Sequence, residues 1–252
     1  SLASSQTDAV TKKLTLEMYP DLESVSNPQI SPDGARIVYT RGWVDKMNDR
    51  RESSIWIMNA DGSKNHFLVD GSGPLWSPDG TRIAYTARGE PEGSQIFVRW
   101  MDDEGATTQI TRLEKGPGGI AWSPDGESLS FSMNVDGEPA WSVSPPGRPD
   151  GATWIEGPKV VTRADYRQDR QGFVDEGWQH IFVVPAEGGT PRQLTNGDWN
   201  HSSGRWTADG NELLFSSLRT EDSELSWRES EVYAVNVATE EIRQLTTRRG
   251  QD

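Results

Sequence analysis

One short phrase recurs along this chain at a nearly constant spacing, and this repeat constrains the fold more than any other feature. Its copies are Ser31-Pro32-Asp33-Gly34, Trp76-Ser77-Pro78-Asp79-Gly80, Trp122-Ser123-Pro124-Asp125-Gly126 and Trp206-Thr207-Ala208-Asp209-Gly210. Asp33, Asp79 and Asp125 are spaced by 46 residues, and Asp209 follows after 84. A period of this length indicates structural units that bury their apolar faces against one another.

The second unit shows how one period is built. Proline presets φ for the first central position of a turn, aspartate suits the second, and glycine supplies the left-handed residue that follows. The turn at 77–80 therefore joins a short strand at 73–76 to a second strand at 82–86, which is rich in β-branched and aromatic residues. Further strands are predicted at 95–100 and 107–111.

The first and fourth units repeat this order, with predicted strands at 28–30, 36–40, 54–58, 65–69 and at 204–206, 212–216, 231–235, 241–246. Four antiparallel strands per period are typical of a β-propeller blade. We therefore predict an all-β chain with about four four-stranded blades, which form part of a ring. The expected domains are an N-terminal extension at 1–23 and a partial propeller at 24–252, with blades at about 24–70, 71–115, 116–196 and 197–249.

The third unit departs from the pattern. It begins with predicted strands at 119–122 and 128–132 and resumes at 179–184 and 191–195. Between them, residues 144–151 form a turn-rich stretch without strand or helix periodicity, while 159–163 has the composition of an extra strand. We predict an irregular insertion at about 133–178, which Trp141, Trp154 and Trp178 hold against the propeller or a neighbouring domain.

Composition excludes several classes of function. The net charge of -14 argues against nucleic-acid binding, which needs a basic surface. The absence of cysteine excludes disulfides, thiolate metal sites and a cysteine nucleophile. No apolar run is long enough to span a bilayer, so we expect no membrane partner. The sequence does not distinguish a cytoplasmic protein from a periplasmic or secreted one.

The order of motifs in the third unit resembles a known family. Pro158-Lys159-Val160-Val161-Thr162-Arg163 is followed by Tyr166-Arg167, Gly172-Phe173, His180-Ile181-Phe182-Val183-Val184 and Gly188-Gly189-Thr190-Pro191-Arg192-Gln193-Leu194-Thr195. This succession resembles the N-terminal propeller of bacterial serine peptidases of the prolyl oligopeptidase family, in the acylaminoacyl-peptidase-like branch. The Trp-Ser-Pro-Asp-Gly turns alone are also similar to those of TolB propellers.

The resemblance implies a propeller of about seven blades, followed by an α/β-hydrolase domain with the catalytic serine, aspartate and histidine. This chain holds no Gly-x-Ser-x-Gly, the motif of the nucleophile elbow. We expect it to be part of a longer polypeptide, without the hydrolase domain, in which the propeller admits short peptides to the active site. The implied partners are peptide substrates and that domain. The alternative is a TolB-like interaction module without enzymatic activity.

Candidate catalytic and metal residues are few, and each has a structural explanation. His66 and His180 lie in predicted strands, while His201 lies in a loop with Ser202 and Ser203 that has the residue types of a catalytic triad without the elbow glycines. The acidic stretches 102–104 and 221–224 lack the ligand spacing of a calcium loop. We therefore predict no catalytic residue, metal or cofactor in this chain. We also expect self-association through open blade edges.

Overall fold

The computed structural model describes residues 15–102, 105–137, 147–154, 161, 164, 166–169, 172–174, 177–220, 223 and 229–247. The chain divides into two compact units, with the boundary between Pro74 and Leu75. In the described residues, no helix has the length and hydropathy needed to cross a membrane.

Four antiparallel four-stranded sheets make up most of the described chain. The first sheet contains β1 (Ser24–Ile30), β2 (Arg36–Asp45), β3 (Arg50–Asn59) and β4 (His66–Asp70). The second contains β5 (Ser72–Trp76), β6 (Arg82–Gly89), β7 (Gly93–Trp100) and β8 (Thr107–Gln109). The third is built from β9 (Gly118–Trp122), β10 (Ser128–Val135), β13 (Trp178–Pro185) and β14 (Arg192–Gln193), and the fourth from β15 (Arg205–Trp206), β16 (Glu212–Ser217), β17 (Glu231–Asn236) and β18 (Ile242–Gln244). These sheets confirm the predicted all-β propeller fold.

Every repeated turn links the first two strands of its sheet in the same way. In the second sheet the Ser77 hydroxyl donates to Asp79 (2.5 Å) and accepts the Arg82 amide (3.0 Å). The amide of Gly80 closes the turn on the Ser77 carbonyl, at a φ of +71° that favours glycine. Hydrogen bonding to the ionised carboxylate, chiefly from Ser77, lowers the pKa of Asp79 to about 2. The repeated aspartates are thus turn residues, as expected from the sequence.

In the second unit, the sheets pack face to face with apolar layers between them. Each of these sheets has two faces, which we call front and back. The front face carries Ala84, Ile96 and Val98 in the second sheet, and Ile181 and Val183 in the third. The back face carries Leu129, Phe131, Phe182 and Val184 in the third sheet, and Leu213, Phe215, Tyr233 and Val235 in the fourth. Each apolar layer joins a front face to the back face of the next sheet, so the third sheet is covered on both sides.

A threonine near the end of the second, third and fourth periods connects the last two strands of its sheet, and the repeated turn gives no sign of it. The hydroxyls of Thr111, Thr195 and Thr246 accept the amides of Ile96, Ile181 and Val232 at 2.9–3.0 Å. In each case a glutamine two residues earlier donates to the threonine carbonyl. A Gln-x-Thr motif therefore marks the end of the second, third and fourth sheets.

The insertion connects two neighbouring strands of the third sheet. β10 and β13 pair from Ser128 and Pro185 as far as Val135 and Trp178, so residues 133–135 and Trp178, at the two ends of the predicted insertion, belong to the sheet. The described part of the insertion contains a short hairpin of β11 (Arg167–Gln168) and β12 (Gly172–Phe173). Trp154 is 45% exposed and Trp178 is the first residue of β13, while Trp141 and most of 159–163 lie outside the described residues. The anchoring role of the three tryptophans stays a prediction.

Candidate functional site

Two of the three histidines meet at the junction of the third and fourth sheets. His180 lies in β13 and His201 in the loop that enters the fourth sheet, and their ring centroids are 5.1 Å apart. They are 4% and 1% exposed. The sequence predicts a structural role for each of them separately, and no spacing motif signals their contact. Sheet stacking and register bring them together.

Each imidazole is held by backbone or hydroxyl groups. The amide and Nδ1–H of His201 both donate to the Gln179 carbonyl, at 2.9 and 3.0 Å. His180 Nδ1 lies 3.3 Å from the Thr195 hydroxyl. On the other side of His201, the ring of Phe215 packs edge-on at 5.3 Å between centroids. The buried Nε2 of His201 has no hydrogen-bond partner among the described residues.

This environment favours the neutral form of both imidazole rings. Burial lowers the pKa of His201 to about 4, and the neighbouring His180 and Arg219 act in the same direction against the Gln179 carbonyl. Burial also lowers the pKa of His180, together with Arg219 and against Asp198. Neutral, desolvated imidazoles of this kind stabilise the junction through packing and hydrogen bonds.

The serines of the same loop have structural partners. The Ser202 hydroxyl accepts the amide of Ser216 at 2.8 Å. The Ser203 hydroxyl lies 3.1 Å from that of Ser132, which also accepts the Gln179 side-chain amide at 3.1 Å. Both hydroxyls therefore tie the loop to the strands, and the described residues do not assemble them with His201 into a nucleophile–base pair. The absence of a catalytic role for these serines stays a prediction.

The remaining sequence candidates lie apart from the histidine pair. His66 is exposed, and its Nδ1 donates to the Lys64 carbonyl at 2.6 Å. Asp102 accepts the Gly105 amide at 2.8 Å, which is the geometry of a turn, while 103–104 and most of 221–224 lie outside the described residues. Among those described, no three histidine or acidic side chains converge as a metal site would require.

A buried arginine joins the second and third sheets. Arg82 is 9% exposed, and its guanidinium lies over the rings of Trp100 and Trp122, 5.0 and 5.1 Å from their centroids. It donates to the Gly126 carbonyl at 2.7 Å and to the Glu187 carboxylate at 2.9 Å. The sequence gives no sign of this contact, because the two tryptophans lie in different units of the repeat and come together only when the second and third sheets pack.

Comparison with known sequences connects this chain to peptidases. A profile of the dipeptidyl peptidase IV N-terminal region matches residues 140–252. The uncharacterized peptidase YuxL of Bacillus subtilis is 27% identical over 221 residues, which cover 85% of this chain and 33% of the relative. This chain thus spans a third of the length of that relative.

Solved structures share the fold at low identity. The acylaminoacyl peptidase of Pyrococcus horikoshii matches with a TM-score of 0.70 and 18% identity, over 91% of this chain and 33% of that one. A putative TolB from Agrobacterium tumefaciens matches with a TM-score of 0.50 and 14% identity, over 88% and 80% of the two chains. The solved structures show a shared propeller fold, and the sequence matches show that the chain is similar to the propeller region of S9, or prolyl oligopeptidase family, peptidases.

Proposed function

We propose that this chain is the non-catalytic propeller of an S9 serine peptidase and that it restricts access to the active site to short peptides. The observation that carries the proposal is the combined match to peptidase sequences and to the stacked-sheet fold of an acylaminoacyl peptidase. The engagement of Ser202, Ser203 and His201 in structural contacts supports a non-catalytic role. Catalysis would then belong to a separate hydrolase domain of the complete polypeptide.

Packing between the sheets supports the proposed selection by size. A barrier that excludes large substrates must stay closed, and side chains buried between the third and fourth sheets, such as Ile181 and Leu213, are 0% exposed. Removing three carbons from Leu213 leaves a cavity that costs about 2–5 kcal/mol. We therefore expect Leu213→Ala to loosen this junction.

The proposal can be tested in the complete natural polypeptide. Leu213→Ala should raise kcat/KM for long unstructured peptides. The kcat/KM for short chromogenic peptides should stay within about twofold of the parent value. Val25→Ala, at a position 68% exposed, is the matched control and should leave both rates unchanged. An unaltered length preference in Leu213→Ala would refute size selection by this junction.

The alternative is a TolB-like interaction module, favoured by the match over 80% of a putative TolB chain. A fluorophosphonate probe separates the two functions because it labels activated serines. Labelling of the complete polypeptide outside this chain supports the peptidase. Failure of the complete polypeptide both to be labelled and to cleave acylated or free peptides would support the interaction module instead.

A further inference from the structure

One asparagine in the loop between the third and fourth sheets differs from all others in the chain. Asn196 is the only asparagine that precedes a glycine. Both Asn196 and Gly197 are exposed, directly after the buried Thr195. Among the residues that the structure describes, neither the Asn196 side chain nor the Gly197 amide has a hydrogen-bond partner. The side-chain carbonyl carbon and the neighbouring backbone nitrogen are therefore both free to react.

The backbone of this loop explains why glycine follows the asparagine. Gly197 has a φ of +93°, in the left-handed region, and a Cβ atom on it would lie 2.6 Å from the ring of Trp199. The fold therefore requires glycine at this position. Because glycine has no Cβ, its backbone nitrogen also approaches the preceding side chain with the least steric hindrance. The geometry that requires glycine at 197 thus makes Asn196 reactive.

We propose that Asn196 is a site of spontaneous deamidation, which converts it to aspartate or isoaspartate. The backbone nitrogen of Gly197 loses its proton and bonds to Cγ of Asn196. The bond from Cγ to Nδ2 breaks, ammonia leaves, and a succinimide ring is formed. Water then opens either C–N bond of the ring: one opening gives aspartate, and the other gives isoaspartate, in which the chain continues through the side-chain carbon. The reaction consumes water, releases ammonia and needs no enzyme.

Asn200 provides a comparison within the same loop. It is exposed like Asn196, but its Oδ1 accepts the Gln179 amide at 2.9 Å. The nitrogen that would attack it belongs to His201, which is buried and donates its amide to the Gln179 carbonyl at 2.9 Å. Deamidation at Asn200 requires the loop to open first, and the free energy of opening slows the reaction. Hydrogen bonding therefore distinguishes the two asparagines, whereas exposure does not.

Isoaspartate at 196 would lengthen a short connection that is fixed at both ends. Before the loop, the Thr195 hydroxyl accepts the Ile181 amide at 3.0 Å. After it, the amide and the ring of His201 both donate to the Gln179 carbonyl. An additional backbone carbon between these anchors strains the histidine junction, so we expect the isoaspartyl form to unfold at a lower temperature than the parent chain. The modification does not depend on the proposed restriction of access to an active site.

Ageing of the chain at alkaline pH, followed by trypsin and mass spectrometry, tests the proposal. Trypsin releases residues 193–205 as one peptide, which contains both asparagines. Asn196 should gain the mass of an amide-to-acid conversion faster than Asn200, by about tenfold or more. Conversion should be slower at mildly acidic pH, because the attacking nitrogen must lose its proton. An unaged sample processed in parallel corrects for conversion during digestion.

A synthetic peptide with the sequence of residues 193–205 gives the rate without the fold. If the folded chain stays unmodified after this peptide has converted, the fold protects Asn196 and the proposal is wrong. It is also wrong if Asn200 converts before Asn196 in the folded chain.

Two variants separate the reaction from its consequence. Asn196→Gln keeps an exposed amide but would have to close a larger ring, and should stay unmodified. Asn196→Asp carries the added charge on a normal backbone. Protein isoaspartyl methyltransferase with a labelled methyl donor should label the 193–205 peptide of the aged parent, but not that of aged Asn196→Gln or fresh Asn196→Asp. An unlabelled peptide from the aged parent would overturn the isoaspartyl product, and equal unfolding temperatures of the aged parent and Asn196→Asp would overturn the expected strain.

Discussion

At the scale of single residues, His201 makes stability depend on pH. Its pKa is about 4 in the folded chain and 6.5 as the ordinary value, so the unfolded state binds more protons between these limits. The free energy of unfolding should therefore fall as pH falls from about 6.5 to about 4, by about 3 kcal/mol at most. Urea unfolding of the parent and of His201→Gln measures this contribution.

Glutamine is a suitable replacement because its amide can still donate to the Gln179 carbonyl while it does not titrate. His201→Gln should flatten the pH dependence of the free energy of unfolding in this window relative to the parent chain. A parent slope that survives in His201→Gln would contradict the assignment.

Arg82 is the second residue with a consequence that can be measured. Lysine keeps the charge but loses the planar guanidinium that lies between Trp100 and Trp122 and reaches both Gly126 and Glu187. Arg82→Lys should lower the free energy of unfolding by about 1–3 kcal/mol. Arg50→Lys, in an exposed ion pair with Glu52, should change it by less than about 1 kcal/mol, and equal effects at both sites would refute a special role for Arg82.

At the scale of elements, the repeated turn depends on one hydroxyl. Ser123 donates to Asp125 and accepts the amide of Ser128, the first residue of β10. Ser123→Ala leaves that amide without its partner and should cost about 1–3 kcal/mol. Ser123→Thr keeps the hydroxyl, as Thr207 does in the fourth sheet, and should cost less. Thermal unfolding of the two variants compares them, and equal losses would show that the hydroxyl is dispensable.

The turns explain why the strands were predictable from the sequence and the histidine junction was not. Ser-Pro-Asp-Gly acts within a few residues, so the beginnings of β2, β6 and β10 were predicted correctly. The strand ends were not, since β2 continues beyond its predicted end at Thr40 as far as Asp45, and pairing with β3 is the only signal of this extension. The contact between His180 and His201 depends on the stacking of two sheets, which no local pattern encodes.

At the scale of the whole molecule, charge is the dominant feature that sequence alone determines. The net charge of -14 means that the acidic side chains repel one another in the compact state. Adding NaCl from about 0.01 M to about 0.1 M shortens the Debye length from about 30 Å to about 10 Å and should raise Tm. The triple variant Glu114→Gln, Asp150→Asn, Glu241→Gln, at three exposed positions, should respond less to salt. A parent Tm that falls with salt would indicate that ion pairs outweigh the repulsion.

The pairing of Val135 with Trp178 has a further consequence for the insertion. Its two ends emerge from neighbouring positions of one ladder, at the place where β2 and β3 need only a short turn. Shortening the segment about tenfold would lower the entropic contribution to the free energy of closing the loop by about 2 kcal/mol. Because the strands that flank the segment pair up to its two ends, we expect that the segment can be lengthened, trimmed or replaced while β10 and β13 stay paired.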